Sequence, residues 1–537
     1  MLTRRELLRM GGATLLLLHL NHLALGQDSE EVFPQGVASG DPTQRGVVLW
    51  TRVNPVVHRR KEKDLLLQLS EDLQFREAST VRIPAHAITP EKDFTIRIDL
   101  EGRLKPGRTY YYRFVYEDVR SMVGRFHTLP ERARELTLGF VVCQNYPDGY
   151  YTAYRHLAQE ELQFVVHLGD FIYEKIYGPP RVPGRGIQLP SNEKVCINLE
   201  DYRHLYRTYL SDQDLKLARA MHPFVNTWDD HEFLNDYYYD YQRGVWGYFV
   251  EGHPVGEDRL RILRLRQDAI RAWFEYVPAR VTLDLNNPNP LKWITLYRDF
   301  DLGGLAHLIV LDERSYRERP PCTGRFGVEG CPEQKKTSML GKEQLSWFSR
   351  KLLEGEYGWK VVANSVQFSR SLVDGKFGSL DAWEGYAGER QALLDLLRHH
   401  RKRNLLLLSG DRHAAMVAEV PDSYDKPSEV LGAEFVTPAL SSINALEGGW
   451  WRKNWPQYAT LEEYERAEVS QNPWIKYLNM RTWGYSLIKL TPRRAEATLV
   501  SVNKYSKDAR REVMARFEYA EGKLERASIS MDVYSTL

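Results

Sequence analysis

Four cysteines in 537 residues are too few for a scaffold held together by disulfides. Neither sign of charge is in excess either: 73 Lys and Arg stand against 72 Asp and Glu, a formal net charge of +1 at pH 7. That balance excludes a bulk field that would draw nucleic acid or an anionic membrane to the protein. Beyond the N-terminal leader, no run is apolar for long enough to span a bilayer. What is present is 43% hydrophobic residues in a chain long enough for large cores and more than one domain. The mature protein is expected to be soluble, with no stable membrane anchor and no nucleic-acid-specific binding.

The leader, residues 1–26, begins Thr3-Arg4-Arg5-Glu6-Leu7-Leu8-Arg9, continues through Gly11-Gly12 and Leu15 to Leu18, and ends in Ala24-Leu25-Gly26. Paired arginines, a short apolar stretch interrupted by His19, Asn21 and His22, and small residues before a cut make a twin-arginine export signal. Its partner is the twin-arginine export machinery, and its destination is the periplasm or the medium. The competing reading is an uncleaved basic leader on a cytoplasmic protein. In an oxidising compartment Cys322 and Cys331, which bracket a Gly-rich loop, suit a local disulfide, and Cys196 is left as a free thiol.

Residues 27–130 read as short β-rich runs, among them Gly46 to Thr51, Asp64 to Ser70, Phe94 to Leu100 and Thr109 to Tyr116, separated by Pro, Gly and charged turns. Tyr110, Tyr112 and Phe114 alternate with Tyr111 and Arg113, so one face is aromatic and buried. The expectation is an N-terminal β-sandwich of fibronectin or immunoglobulin type, structural or lid-forming in role. From 131 to 537 the rhythm changes to strands alternating with helices, an α/β pattern.

Chemistry concentrates where apolar runs stop at acidic residues. Val165 to Leu168 closes at Gly169-Asp170, with Tyr173 three residues on; Leu405 to Leu408 leads to Ser409-Gly410-Asp411-Arg412-His413. Strand ends of this kind build the sites of open α/β sheets. A carboxylate there can bridge two cations, a phenolate is a hard oxygen suited to a trivalent metal, and Asp411 and His413, two apart, share a side. Leu136 to Val142 delivers Cys143 beside Asp170 through a βαβ unit. In Trp228-Asp229-Asp230-His231-Glu232, Asp230 is read as a metal ligand and His231 as proton donor or phosphate-binding group. Arg412, between two ligands, either contacts substrate or turns outward to solvent. Asn364 and Gln367 are ligands, phosphate donors or loop braces. Trp450, Trp451, Trp455 and Trp474 wall a cleft or simply pack.

In this order, Cys143, Gly169-Asp170-Phe-Ile-Tyr173-Glu174, Trp228-Asp229-Asp230-His231-Glu232 and Gly410-Asp411-Arg412-His413, after a twin-arginine leader and a β module with Pro106-Gly107-Arg-Thr-Tyr-Tyr-Tyr, the chain resembles the PhoD-type alkaline phosphatase/phosphodiesterase family over nearly its whole length. The resemblance implies a metallophosphatase-like core of two stacked mixed sheets flanked by helices. It implies Fe3+ with Ca2+, and hydrolysis of phosphate mono- and diesters by a metal-bound oxygen with release of inorganic phosphate. Carried over, Cys143, Asp170 and Tyr173 fall on the iron side, and Asp230, Asp411 and His413 on the remaining metal positions. Its substrates would be small phosphate esters. The alternative is a phosphodiesterase or phospholipase D-like enzyme preferring lipid or polymer diesters. Loops around Gly178 to Asn192 and Asn444 to Trp474 are expected to set access.

Overall fold

The computed structural model describes residues 27–249, 252–322, 324 and 326–527; the twin-arginine segment lies outside them. Among the described residues no helix is long and apolar enough to cross a membrane.

Valine- and leucine-rich runs with no polar alternation predict strands buried on both faces, and such strands form the middle of two sheets. In the first, of ten strands, Leu136–Val141, Phe164–His167 and Phe224–Asn226 lie side by side and parallel. The C-terminal strands Gly484–Leu490, Ala495–Val502, Arg511–Ala520 and Lys523–Ala527 extend one edge antiparallel. In the second, of seven strands, Ala306–Val310, Trp359–Asn364, Leu405–Ser409 and Val430–Val436 run parallel, with antiparallel strands at both edges. The sheets face each other across one core in which Leu138, Val166 and Val225 meet Leu308, Val361 and Leu406. Helices cover the outer faces: Leu199–Tyr209, Gln213–Met221 and Arg259–Tyr276 on the first sheet, Gly341–Leu353 and Ala387–His399 on the second. With both faces covered, the central strands are largely apolar, and the acidic residues of the motifs lie just beyond their carboxyl ends.

The N-terminal segment departs from a self-contained sandwich. A five-stranded sheet built on Leu65–Ser70 and Thr109–Tyr116 does stand apart. The strands that complete its core, Val37–Gly40, Val48–Arg52 and Thr95–Asp99, instead continue the ten-stranded sheet, Gly40 pairing with Phe224. Local alternation specifies a strand and its buried face, but not which sheet receives its edge. The Cys322–Cys331 disulfide is present, with S–S 2.00 Å and Cα–Cα 5.7 Å.

Candidate metal centre

The parallel register of the first sheet aligns His167 with Val141 and Asn226. The segments that follow these strands therefore leave the sheet together, and the amides of Cys143 and Gln144 donate to the carbonyls of Gly169 and Asp170 at 3.2 and 3.1 Å. In the second sheet Asn364, Ser409 and Val436 are aligned in the same way. The two Gly-Asp turns are steric necessities. A Cβ on Gly169, at φ 108°, would lie 2.3 Å from the Asp229 nitrogen, and one on Gly410 would lie 2.5 Å from Val142 Cγ2. Cys143, Asp170, Asp411 and His413 all take left-handed backbone angles, φ 54°, 55°, 62° and 55°. Such conformations cost on the order of 1 kcal/mol or more each and persist where the surroundings dictate them.

These residues converge. Asp170 Oδ2 accepts from the Cys143 thiol at 3.3 Å and from the Tyr173 hydroxyl at 2.9 Å. The Tyr173 oxygen lies 3.4 Å from His413 Nε2 and accepts from the Ser442 hydroxyl at 2.8 Å. Among the described residues, ligand-type atoms within 4.8 Å of one another form four groups that could hold an ion: Cys143, Asp170 and His413; Asp170, Asp230 and His231; Asp229, Asp230 and Asp411; and Asp230, Asp236 and Asp381. All of the metal positions read from the sequence, and His231, therefore lie at one place.

The donor set fits cations. Asp230 Oδ1 is buried without a hydrogen-bond partner, while Oδ2 accepts the Asp236 amide at 2.6 Å. Burial, then the neighbouring carboxylates, pushes the Cys143 thiol well up; burial pushes Asp170 up too, against the opposing pull of His231. Burial and Asp170 likewise raise Tyr173. Without a cation these groups hold their protons, because packing several anions in a dry pocket is prohibitive. His413 donates Nδ1–H to the Ile443 carbonyl, and burial lowers its pKa to about 4, which leaves Nε2 as a free lone pair aimed at the cluster. His231 is the opposite case. Burial would depress it, but Glu174, Asp230 and Asp170 outweigh burial and hold it well above its ordinary value.

Some of the constellation was not anticipated. Arg314, wholly buried, donates Nη2–H to Asp229 Oδ2 at 2.8 Å and to Asp411 Oδ1 at 3.2 Å, and it also grips Asp381. Arg317 holds the other side of Asp381 at 2.9 Å. Arg314 follows the Ala306–Val310 strand by four residues and Asp381 follows the Lys376–Ser379 strand by two, but neither carries a local sequence signal of this role. Glu232 accepts the backbone amides of Asp170, Phe171 and Asp229 at 3.1, 2.7 and 2.9 Å, tying two motifs into one floor.

Other expectations are revised. The Arg412 guanidinium lines the cleft, where it is held by Glu468 and by Gln367 Oε1. Asn364 braces the sheet end, with Oδ1 accepting from Trp383 Nε1 at 2.7 Å and Nδ2 donating to the Ser409 hydroxyl at 2.8 Å. Above the cluster opens a cleft of about 1050 Å³ whose walls include Tyr177, Arg181, Phe326, Trp450 and Trp455, so both of the loops singled out in the sequence contribute. Trp474 is not among the cleft residues; it packs against Tyr424 and donates to the Arg370 carbonyl.

Residues 138–499 match the PhoD-like phosphatase family, and residues 22–130 match the PhoD-like phosphatase N-terminal domain. The chain is 34% identical over 479 residues to alkaline phosphatase D of Bacillus subtilis (strain 168), covering 87% of this chain and 76% of that protein. A solved structure of PhoD superposes with a TM-score of 0.78 at 29% identity, over 93% of both chains.

Proposed function

The chain belongs to the PhoD-like phosphatase family and is a phosphoric ester hydrolase, and from that premise we propose how its residues divide the work. Cys143, Asp170 and Tyr173 would hold a ferric ion, and Asp230, Asp411 and His413 would supply the remaining ligands of the iron and calcium positions. The observation that carries this reading is the meeting of two strained Gly-Asp strand ends, one from each sheet, around Asp230 Oδ1, a buried carboxylate oxygen with no hydrogen-bond partner among the described residues. Cations bound there would neutralise the phosphoryl oxygens and acidify a water.

The chain's own groups do the rest. Asp230 and Asp411 are fixed by the Asp236 amide and by Arg314. His231, at the cleft wall, supplies a proton to the leaving oxygen. Tyr177 and Trp450 narrow the approach and exclude bulk water. The long aromatic cleft has room for a second ester arm, which favours diesters beside monoesters. We assign residues 27–130 as a β-sandwich module sharing strands with a metallophosphatase-like domain over 131–537, after a twin-arginine leader that directs the protein to the periplasm or the medium.

The test is elemental analysis with hydrolysis of a chromogenic phosphomonoester and a bis-phosphodiester, before and after chelation and calcium re-addition. Iron with calcium, and activity removed by chelator and restored by calcium, is the expected result. Hydrolysis indifferent to chelation in metal-free protein would overturn the assignment.

A further inference from the structure

We propose that Glu174 is a positioning residue, one that fixes the His231 imidazole so that its Nε2–H faces the leaving-group oxygen of the ester. The proposal rests on the reading of His231 as proton donor and extends it to a residue with no direct contact to substrate.

Glu174 closes the Gly169-Asp170-Phe171-Ile172-Tyr173-Glu174 segment and is fully buried. Both of its oxygens are committed. Oε2 lies 2.6 Å from His231 Nδ1, and Oε1 accepts the Asn235 amide at 3.0 Å. With the Glu174 carboxylate as acceptor, Nδ1 carries its hydrogen toward Oε2. The ring's other degrees of freedom are also removed: Tyr173 stacks on its face at 4.0 Å and 29°, and Tyr177 meets it edge-on at 5.9 Å and 88°. One nitrogen and one face are thus occupied in a ring that lines the cleft, and Nε2 is the nitrogen left to meet a ligand. Carboxylate to Nδ1, with Nε2 toward the reaction, is how an imidazole is held in one orientation for proton transfer. The Asn235 contact adds a second function, since the same carboxylate anchors the turn that follows Asp230 and His231.

The step balances without a further reactant. As the phosphorus–oxygen bond to the leaving group breaks, its electron pair stays on that oxygen; the Nε2–H bond breaks and the proton passes to the same oxygen. The neutral ring still donates Nδ1–H to Glu174 and regains its proton from solvent.

The experiment uses metal-loaded protein and a series of aryl and alkyl phosphate esters of rising leaving-group pKa, with metal content measured on every variant. His231→Ala is expected to keep its metals, to lose little with nitrophenyl esters and to lose ~10²-fold with alkyl esters, which need the proton most. Glu174→Gln, which keeps an acceptor for the Asn235 amide, should show the same dependence with a smaller loss, and Glu174→Gln combined with His231→Ala should be no worse than His231→Ala alone. If His231→Ala loses metal, or loses activity equally on every ester, the reading of His231 fails and the proposal falls with it. If His231→Ala depends on the leaving group but Glu174→Gln loses activity uniformly, His231 stands and Glu174 is overturned as its positioning residue. Should Glu174→Gln not fold, Glu174→Asp, shorter by one methylene, is read by the same slope.

Discussion

Asp170 and Asp411 each follow a glycine at the carboxyl end of a buried parallel strand, one in each sheet, and both take left-handed backbone angles. They differ in what faces them. Asp411 has the Arg314 guanidinium, which also holds Asp229 and Asp381. Asp170 has a thiol, a phenol and further carboxylates, with His231 as the cation that bears on it. One end is built with its own positive charge, and the other depends on charge brought from outside. The histidines divide in the same sense: His413 is kept neutral with a lone pair for a metal, whereas His231 is kept cationic by Glu174. On the proposed reading, a single pocket thus separates the task of holding cations from that of delivering a proton.

The comparison breaks most completely at Asp170. Asp170→Asn removes the carboxylate shared by two of the ion-holding groups, so turnover should fall ~10³-fold or more and metal content should fall with it, as read by phosphate release and elemental analysis. Full metal content and near-normal turnover would mean that the cations sit elsewhere.

Arg314→Met makes the second end resemble the first. Removing one partner from a buried ion pair costs about 3–5 kcal/mol, because the remaining carboxylates are stranded. Chemical denaturation should register that loss, and added divalent cation should recover part of it, since Asp229, Asp230 and Asp411 already lie close enough to hold an ion. A loss that cations leave untouched would show that Arg314 packs the floor without neutralising it.

The two ends were not equally legible in the sequence. Gly-Asp after an apolar run marks a strand end whatever fold surrounds it, so Asp170, Tyr173, Asp411 and His413 could be read directly, and Cys143 followed from the right-handed βαβ rule. Arg314 and Asp381 could not. Their role depends on a loop from a third strand crossing to the first sheet's motifs, a contact at |i−j| of 85 between Arg314 and Asp229, and no local pattern encodes that distance. The same limit applied to the N-terminal strands, where alternation gave the buried face but the edge pairing with Phe224 is a long-range choice.

A smaller effect separates metal-free from loaded protein by pH. Burial, against the pull of Arg314, raises Asp411 to about 6 and Asp229 to about 8, while both titrate near 4 in an unfolded chain. A raised folded pKa means that the native state binds the proton more tightly. The stabilisation is complete below about pH 4 and is lost as pH rises through about 6 and then about 8, at up to about 1.4 kcal/mol per unit for each group. Bound cations favour the ionised forms and remove this dependence. Melting temperature should therefore fall with rising pH more steeply in chelated protein than in loaded protein; parallel curves would mean that these carboxylates do not face the ions.

The least disruptive substitution is the one that tests direction. Asp411 and His413 point to the centre, and Arg412 between them lines the cleft while it is held by Glu468 on the Leu461–Gln471 helix and by Gln367. Arg412→Lys keeps the positive charge beside Glu468 but gives up the fork that reaches both partners. The expected cost is about 2 kcal/mol of stability, one charge-assisted hydrogen bond, with turnover on small esters close to that of the unaltered protein. A fall in turnover approaching that of Asp170→Asn, at unchanged stability, would mean that Arg412 leaves Glu468 when substrate binds and meets the phosphate itself, and the second strand end would then supply a mobile cation as well as the fixed one at Arg314.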